Sequence, residues 1–300
     1  MPDRVLDLSR DPCRLALDGA LLVVRRDSKP DVRVRLDEIA AICVSQPASS
    51  ASFRALGALA GAGAIVVVCD ERHSPTGMLL PLANHHAQTP RFAAQAALGT
   101  VARKRLWRQV VRAKIRQQAV VLDAAGLEGA PLRAMMARVL SGDTSNMEAQ
   151  AAVVYWRTLM GLEFRRDRDE PGINALLNYG YAILRSAMTR AICAAGLHPT
   201  LGLQHHHREN PFCLSDDLIE PYRPLVDLAV LQHWRGGTAM ELVPEVKSWL
   251  VGAVCGRVSI KDEQRTMFEL CSRSARSLVG VAMKERRTLF LPEWTPRAPA

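Results

Sequence analysis

Aromatic side chains are scarce in this sequence, at 5% of 300 residues, so Ala, Leu and Val must do most of the packing. The apolar share is nonetheless 48%, enough for a sizeable core and room for two domains. No segment reaches the roughly 18 uninterrupted apolar residues of a membrane span, so no membrane partner is expected. Met1-Pro2-Asp3-Arg4 is not a basic segment followed by an apolar run, so no secretory signal is read and the expected compartment is the cytoplasm. The seven cysteines (Cys13, Cys43, Cys69, Cys193, Cys213, Cys255 and Cys271) contain no C-x-x-C pair and are odd in number. That argues against a disulfide framework or a structural zinc site, and they read as small core thiols. A Walker-type G-x-x-x-x-G-K-[ST] loop is also lacking.

What is abundant is positive charge. The formal net charge is +9 and the isoelectric point about 9.5, which points to a polyanionic partner. Arg105, Arg108, Arg112 and Arg116 are three or four apart and form one basic stripe if helical. Arg165, Arg166 and Arg168 form a second cluster, and Lys284, Arg286 and Arg287 a third. Each alone reads equally as a solvated face. Lys284 to Arg287 also stands where a helix C-terminus favours cations anyway. Convergence on a reactive centre would make them phosphate contacts.

The pattern predicts an α+β fold, with a small N-terminal β-rich domain followed by a larger all-α C-terminal catalytic domain. Over residues 1–85, Arg14 to Leu17 and Ala20 to Val24 flank Asp18-Gly19, a two-residue hairpin signal. Val32 to Leu36, Ile39 to Val44, Ile65 to Cys69 and Met78 to Leu82 read as strands, and Ser50 to Leu59 as a helix. A polar stretch at Asn84 to Pro90 leads into residues 90–291. Helices are expected there over Phe92 to Leu122, Leu132 to Leu140, Met147 to Leu162, Ile173 to Ala195, Leu225 to His233, Pro244 to Cys255 and Lys261 to Lys284. The Pro-rich end, residues 292–300, is expected to be a disordered tail.

Three places carry candidate chemistry. Glu148 follows the cap residues Asp143 to Asn146, which puts it in the first turn of a helix, where the dipole favours acids regardless of function. His205-His206-His207 is an unusual run of metal-ligating, proton-carrying side chains. Asp217 and Glu220 are three apart and share a helical face, although Pro221 either disfavours helix at Glu220 or starts a new one. A plain alternative is an acid cluster pairing with Arg223. Taken together, carboxylates and imidazole suit Mg²⁺ or Mn²⁺, and a basic protein with such a site reads as a phosphodiester enzyme.

Several segments resemble, in order, the CRISPR-associated endonuclease/integrase family, with most similarity to members from type II systems. They are Lys114-Ile115-Arg116-Gln117-Gln118; Asn146 with Glu148-Ala149-Gln150-Ala151-Ala152 and Tyr155-Trp156; and Pro171-Gly172-Ile173-Asn174-Ala175-Leu176-Leu177-Asn178-Tyr179-Gly180-Tyr181. Gly202 to His207, Pro211-Phe212 and Asp216 to Pro224 complete the set. The resemblance implies a metal-dependent integrase of CRISPR adaptation. Such an enzyme inserts short DNA fragments (spacers) into the repeat array by attack of a 3′-hydroxyl on a phosphodiester. It implies Glu148, His205 and Glu220 as catalytic ligands of Mg²⁺ or Mn²⁺. His205 stands fifteen residues before the second acid, whereas a shorter spacing in other branches selects His207. Gln204 departs from relatives with a further histidine there, and Asp217 matches an auxiliary acid. Implied partners are DNA (short duplex fragments and the repeat), a second copy forming a homodimer through the β domain, and the second CRISPR adaptation protein in a heterohexamer. Arg105, Arg108, Arg112, Arg116, Arg165 and Arg166 are the candidate DNA contacts. A branched-DNA nuclease and a non-catalytic DNA-binding scaffold remain as alternatives.

Overall fold

The computed structural model describes residues 4–8, 10–27, 29–69, 75–81, 87–167, 170–238, 240–260 and 263–295. The chain begins with β1 (Arg4–Leu8), β2 (Arg14–Asp18), β3 (Leu21–Arg26), β4 (Lys29–Arg35), β5 (Ile39–Val44) and β6 (Ser50–Ala51). Helix α1 (Phe53–Gly61), β7 (Ile65–Cys69) and β8 (Pro75–Leu79) follow. Asp18 pairs with Leu21, so the hairpin turns on Gly19-Ala20, one residue later than its Asp-Gly signal predicts; Gly19 adopts φ +58°.

Two four-stranded sheets result, in the orders β4-β3-β2-β6 and β1-β5-β7-β8. β5 and β7 are short, continuous apolar runs because both faces are covered. Ile42 and Val66 join Leu22, Val24, Val34 and Leu59 in a core between the sheets and α1. On the opposite face, Ala41, Cys43, Ile65 and Val67 belong to the same core as the helices.

The remainder is mostly helical, which gives the α+β class. Its elements are α2 (Gln88–Ala96), α3 (Thr100–Ala124), α4 (Ala130–Ala137), α5 (Met147–Met160), α6 (Ile173–Ala194), α7 (Cys213–Ile219), α8 (Arg223–Arg235) and α9 (Pro244–Cys255). Then come β9 (Arg257–Ile260), β10 (Glu263–Thr266), α10 (Met267–Ala282) and β11 (Trp294–Thr295). The expected helix over Phe92 to Leu122 is two helices, divided at Gly99, which occupies the N-cap of α3 in an extended conformation. The helix expected from Lys261 instead starts at Met267. A strand pair precedes it, and a reciprocal capping box between Thr266 and Glu269 sets its first turn.

The chain also stays packed beyond Pro292, contrary to the expected loose tail. Trp294 is buried, β11 pairs with β9, and Gln117 Nε2 donates to the Pro292 carbonyl at 3.0 Å. Residues 296–300 lie outside the described residues. No disulfide forms among the seven cysteines; Cys13, Cys43, Cys213 and Cys271 are buried, while Cys69, Cys193 and Cys255 are half-buried.

α3 and α6 are the spine. α3 buries Leu106, Trp107, Val110, Val111, Ile115, Ala119 and Leu122, and α6 is buried on nearly every side. α6 meets α8 at Gly180, where an added Cβ would stand 2.4 Å from Val226 Cγ1. Among the buried polar groups without a hydrogen-bond partner is a lysine. Lys247, on α9, is fully buried with its Nζ unsatisfied. Burial pushes its amine down to about 8, against the opposing pull of Asp7 and Cys69.

Charging this lysine in the folded state therefore costs stability at neutral pH. Lys247→Met is predicted to stabilise the protein by about 1–3 kcal/mol at pH 7. The wild type should close that gap as pH rises from about 8 towards 10.5, because there the unfolded chain binds the proton that the folded chain has released. Urea unfolding of both proteins at neutral and alkaline pH measures this. A variant less stable than wild type at pH 7 contradicts it.

Candidate active site

The first acid is fixed by a local cap. Ser141–Asp143 forms a 3₁₀ turn, and the backbone N–H groups of Met147 and Glu148 donate to Asp143 Oδ1 and Oδ2, each at 2.9 Å. Two orphan donors of α5 are thereby satisfied, and Glu148 falls in its first turn. Met147, Ala151, Tyr155 and Leu159 anchor the helix in the core, leaving Glu148 on its half-buried side.

The second acid sits where α7 meets α8. α7 ends at Ile219, Glu220–Tyr222 continues as a 3₁₀ turn with Pro221 in its first positions, and α8 begins at Arg223. Proline suits that start because its missing N–H would have no helical partner. Glu220 is only 5% exposed. Asp217, one turn earlier, is fully buried. It accepts backbone N–H groups from Leu203, Gln204 and His205 at 2.5, 3.0 and 3.3 Å, and its Oδ1 lies 2.6 Å from His205 Nδ1. A carboxylate only accepts, so the imidazole proton is assigned to Nδ1 and Nε2 keeps its lone pair. This contact is the main reason His205 is raised above an ordinary histidine; the charges of Glu220 and Glu148 also reach its ring. Trp107 packs edge-on against that ring at 5.7 Å. The loop closes tightly at Gly202, where a Cβ would stand 2.4 Å from the His205 carbonyl and 3.0 Å from Asp217 Oδ2.

His207 is exposed, and its Nδ1 accepts the Glu209 N–H at 3.2 Å. Of the two candidate histidines, His205 is the one held by Asp217 and within reach of the acids' field.

Lys114, from the middle of α3, joins the two glutamates. Its Nζ lies 2.7 Å from Glu148 Oε1 and 2.6 Å from Glu220 Oε2. Burial alone would lower this ammonium, but Glu220 and Glu148 outweigh it and raise its pKa above the ordinary lysine value. Burial alone would likewise raise Glu220, but Arg223 and Lys114 pull it below the usual glutamate range. Arg223 Nε stands 2.9 Å from Glu220 Oε1. Glu220 Oε2 is buried, and the ammonium of Lys114 at 2.6 Å is its partner. Sequence reasoning placed Lys114 in a basic segment and missed this position. Its pairing with acids 34 and 106 residues away depends on how the helices cross, which no local pattern carries.

The donors fit a divalent cation in kind. They comprise two carboxylates from different elements that already share one cation, and an imidazole with Nε2 open. Among the described residues, however, no three His, Cys, Asp or Glu side chains converge tightly enough to hold an ion as they stand. The ammonium of Lys114 separates the two glutamates.

A cavity of about 170 Å³ adjoins the pair, with Lys114, Glu220, Arg223, Arg166, Tyr181 and Asp227 in its wall. Arg166 donates to Asn174 Oδ1 at 2.8 Å and Asn178 Oδ1 at 2.5 Å; it and Arg223 both lie over the Tyr181 ring. Behind them the Tyr155 and Tyr181 hydroxyls donate to Asp227, whose carboxyl burial pushes up to about 6 against those hydrogen bonds. Sequence reasoning also missed this buried triad.

The basic stripe only partly faces outward. Arg105 is exposed and Arg112 half-buried, whereas Arg108 Nε donates to the Val139 carbonyl at 2.8 Å and Arg116 pairs with Glu293. Arg165 is exposed, and Arg168 lies outside the described residues. Arg166 is thus the predicted DNA contact whose side chain shares a cavity with Glu220.

Comparison with known proteins places these features in a family. The family model described as "CRISPR associated protein Cas1" matches residues 6–240. The CRISPR-associated endonuclease Cas1 of Neisseria meningitidis serogroup C (strain 8013) is 37% identical over 287 residues, covering 94% of each protein. Among solved structures, a casposase bound to integration product aligns with a TM-score of 0.79 at 20% identity, over 95% of this chain and 92% of that one. A Cas6-RT-Cas1–Cas2 complex aligns at 0.78 and 18% identity, over 97% of this chain and 36% of that one. These two likenesses concern the fold, and the first two matches establish kinship: the chain belongs to the CRISPR-associated Cas1 family.

Proposed function

We propose that this chain is a metal-dependent DNA endonuclease and integrase of CRISPR adaptation, inserting short DNA fragments into a repeat array. One observation carries the reading. Glu148 and Glu220 meet at Lys114, beside an imidazole that a buried aspartate orients, in a Cas1-family chain. The Neisseria relative is named an endonuclease, and the casposase was solved with an integration product. Both descriptions support phosphodiester chemistry here.

In this reading Glu148, His205 and Glu220 hold Mg²⁺ or Mn²⁺. When bound, the ion polarises the phosphate and lowers the pKa of the attacking hydroxyl. Asp217 keeps the His205 proton on Nδ1, so the ring presents Nε2. Arg223 and Arg166 supply fixed positive charge for a phosphate oxygen in the adjoining cavity. A 3′-hydroxyl then attacks the phosphodiester at the repeat boundary, and one P–O bond forms as another breaks. The number of phosphodiester bonds is conserved, so no nucleotide need be hydrolysed to drive the step.

The partners in this reading are DNA, a second copy and the second CRISPR adaptation protein in a heterohexamer. The net charge of +9 supports the first. Pairing of copies through a β-rich domain over residues 1–85 is supported by Phe53, 92% exposed at the start of α1, and by the outward-facing edge strand β4. The Cas1–Cas2 complex among the structural neighbours supports the third. No described helix is long and apolar enough to cross a membrane, which is compatible with action in the cytoplasm.

Glu148→Ala is predicted to reduce strand transfer at least about a hundredfold while leaving duplex affinity within about threefold. The assay combines the protein and its adaptation partner with supercoiled repeat DNA, a labelled duplex and Mn²⁺ or Mg²⁺. Retained transfer rejects the assignment, and nicking without joining by the wild type favours a structure-specific nuclease. For the stripe, Arg105→Ala with Arg112→Ala is expected to weaken binding to all sequences alike. The salt-dependence slope should fall by roughly two. An unchanged slope removes these residues from the DNA interface.

A further inference from the structure

Lys114 stands at the point where Glu148 and Glu220 approach each other, 2.7 and 2.6 Å from one oxygen of each. A divalent ion shared by those oxygens would need the same point. Mg²⁺ sits about 2.1 Å from its oxygen ligands. Two like charges confined to one small site also repel. The ammonium and the ion are therefore alternatives.

The structure also provides a place for a displaced ammonium. α3 is anchored by its buried face, so only the flexible lysine stem has to move. The cavity of about 170 Å³ already has Lys114 in its wall, with Arg166 and Arg223 as two further cations. Against them stand Glu220 and Asp227, the latter engaged by two tyrosine hydroxyls. An anion entering there would meet three cationic groups.

We propose that Lys114 competes with the divalent cation for the Glu148–Glu220 pair, and that its ammonium, once displaced, becomes a ligand of the DNA phosphate entering the Arg166–Arg223 cavity. This rests on the reading of Glu148 and Glu220 as metal ligands. It makes Lys114 a coupling residue as well as a basic one. DNA draws the ammonium off the acids and the metal then binds more tightly; by reciprocity, metal strengthens DNA binding.

The test is Mn²⁺ binding by calorimetry on the full chain, with wild type, Lys114→Gln, Lys114→Met and Lys114→Arg, each with and without a non-cleavable phosphorothioate duplex. Without DNA, the Gln and Met variants should bind Mn²⁺ about tenfold more tightly than wild type, and the Arg variant no more tightly. The duplex should tighten Mn²⁺ binding by wild type several-fold more than by the Gln and Met variants, in which only the direct metal–phosphate contact remains to couple the two ligands. Equal or weaker Mn²⁺ binding by folded Gln and Met variants overturns the competition. Wild-type binding that ignores DNA overturns the coupling, and this arm needs no variant to fold. No Mn²⁺ binding by any of the proteins overturns the metal reading itself, a result distinct from the other two.

Discussion

The arrangement depends on one largely buried cation between two carboxylates. Two acids this close destabilise each other's charged forms; at an effective dielectric near 20, like charges 4 Å apart cost about 4 kcal/mol. Lys114 turns that repulsion into attraction, and its contact ties α3 to α5 and to the α7–α8 junction. Removing one partner of such a buried pair typically costs about 3–5 kcal/mol, because the other is left uncompensated. The same contact therefore holds the helices in register and, with Arg223, keeps Glu220 below the usual glutamate range despite its burial.

Around this contact the protein uses groups that act on orientation. Asp143 fixes the start of α5 through two backbone N–H groups, so Glu148 emerges at a defined point. Asp217 gathers three consecutive backbone N–H groups and the His205 ring, so the loop and the imidazole are set by one buried carboxylate. Gly202 permits that closeness, and Arg223 holds the other oxygen of Glu220. Each carboxylate in this region has a distinct role fixed by its neighbours, with Asp143 capping, Asp217 orienting, and Glu148 and Glu220 facing the shared point.

Much of this was legible in the sequence where the cause is local. The α+β class follows from short apolar runs giving way to helical periodicity. The first-turn position of Glu148 follows from the cap residues before it, and the broken helix at Glu220 from Pro221. What was not legible is long-range. The periodicity that aligns Arg105, Arg108, Arg112 and Arg116 says nothing of the Val139 carbonyl or Glu293 that engage two of them. Asp227 meets tyrosines 72 and 46 residues away, and each of the three reads singly as an ordinary helical position. Trp294 in a Pro-rich end looks like part of a tail until β9 supplies its strand partner. His205 and His207 are chemically the same in sequence and differ only in which one Asp217 reaches.

The central claim is that Glu148, Glu220 and His205 form one divalent-cation site, and anomalous diffraction tests it most directly. Crystals soaked in Mn²⁺ and measured on both sides of the manganese edge should show one strong peak bounded by the two carboxylates and His205 Nε2. The Lys114 ammonium should have moved away from that point towards the Arg166–Arg223 cavity. A peak elsewhere, or none with Lys114 still bridging the glutamates, would contradict the account.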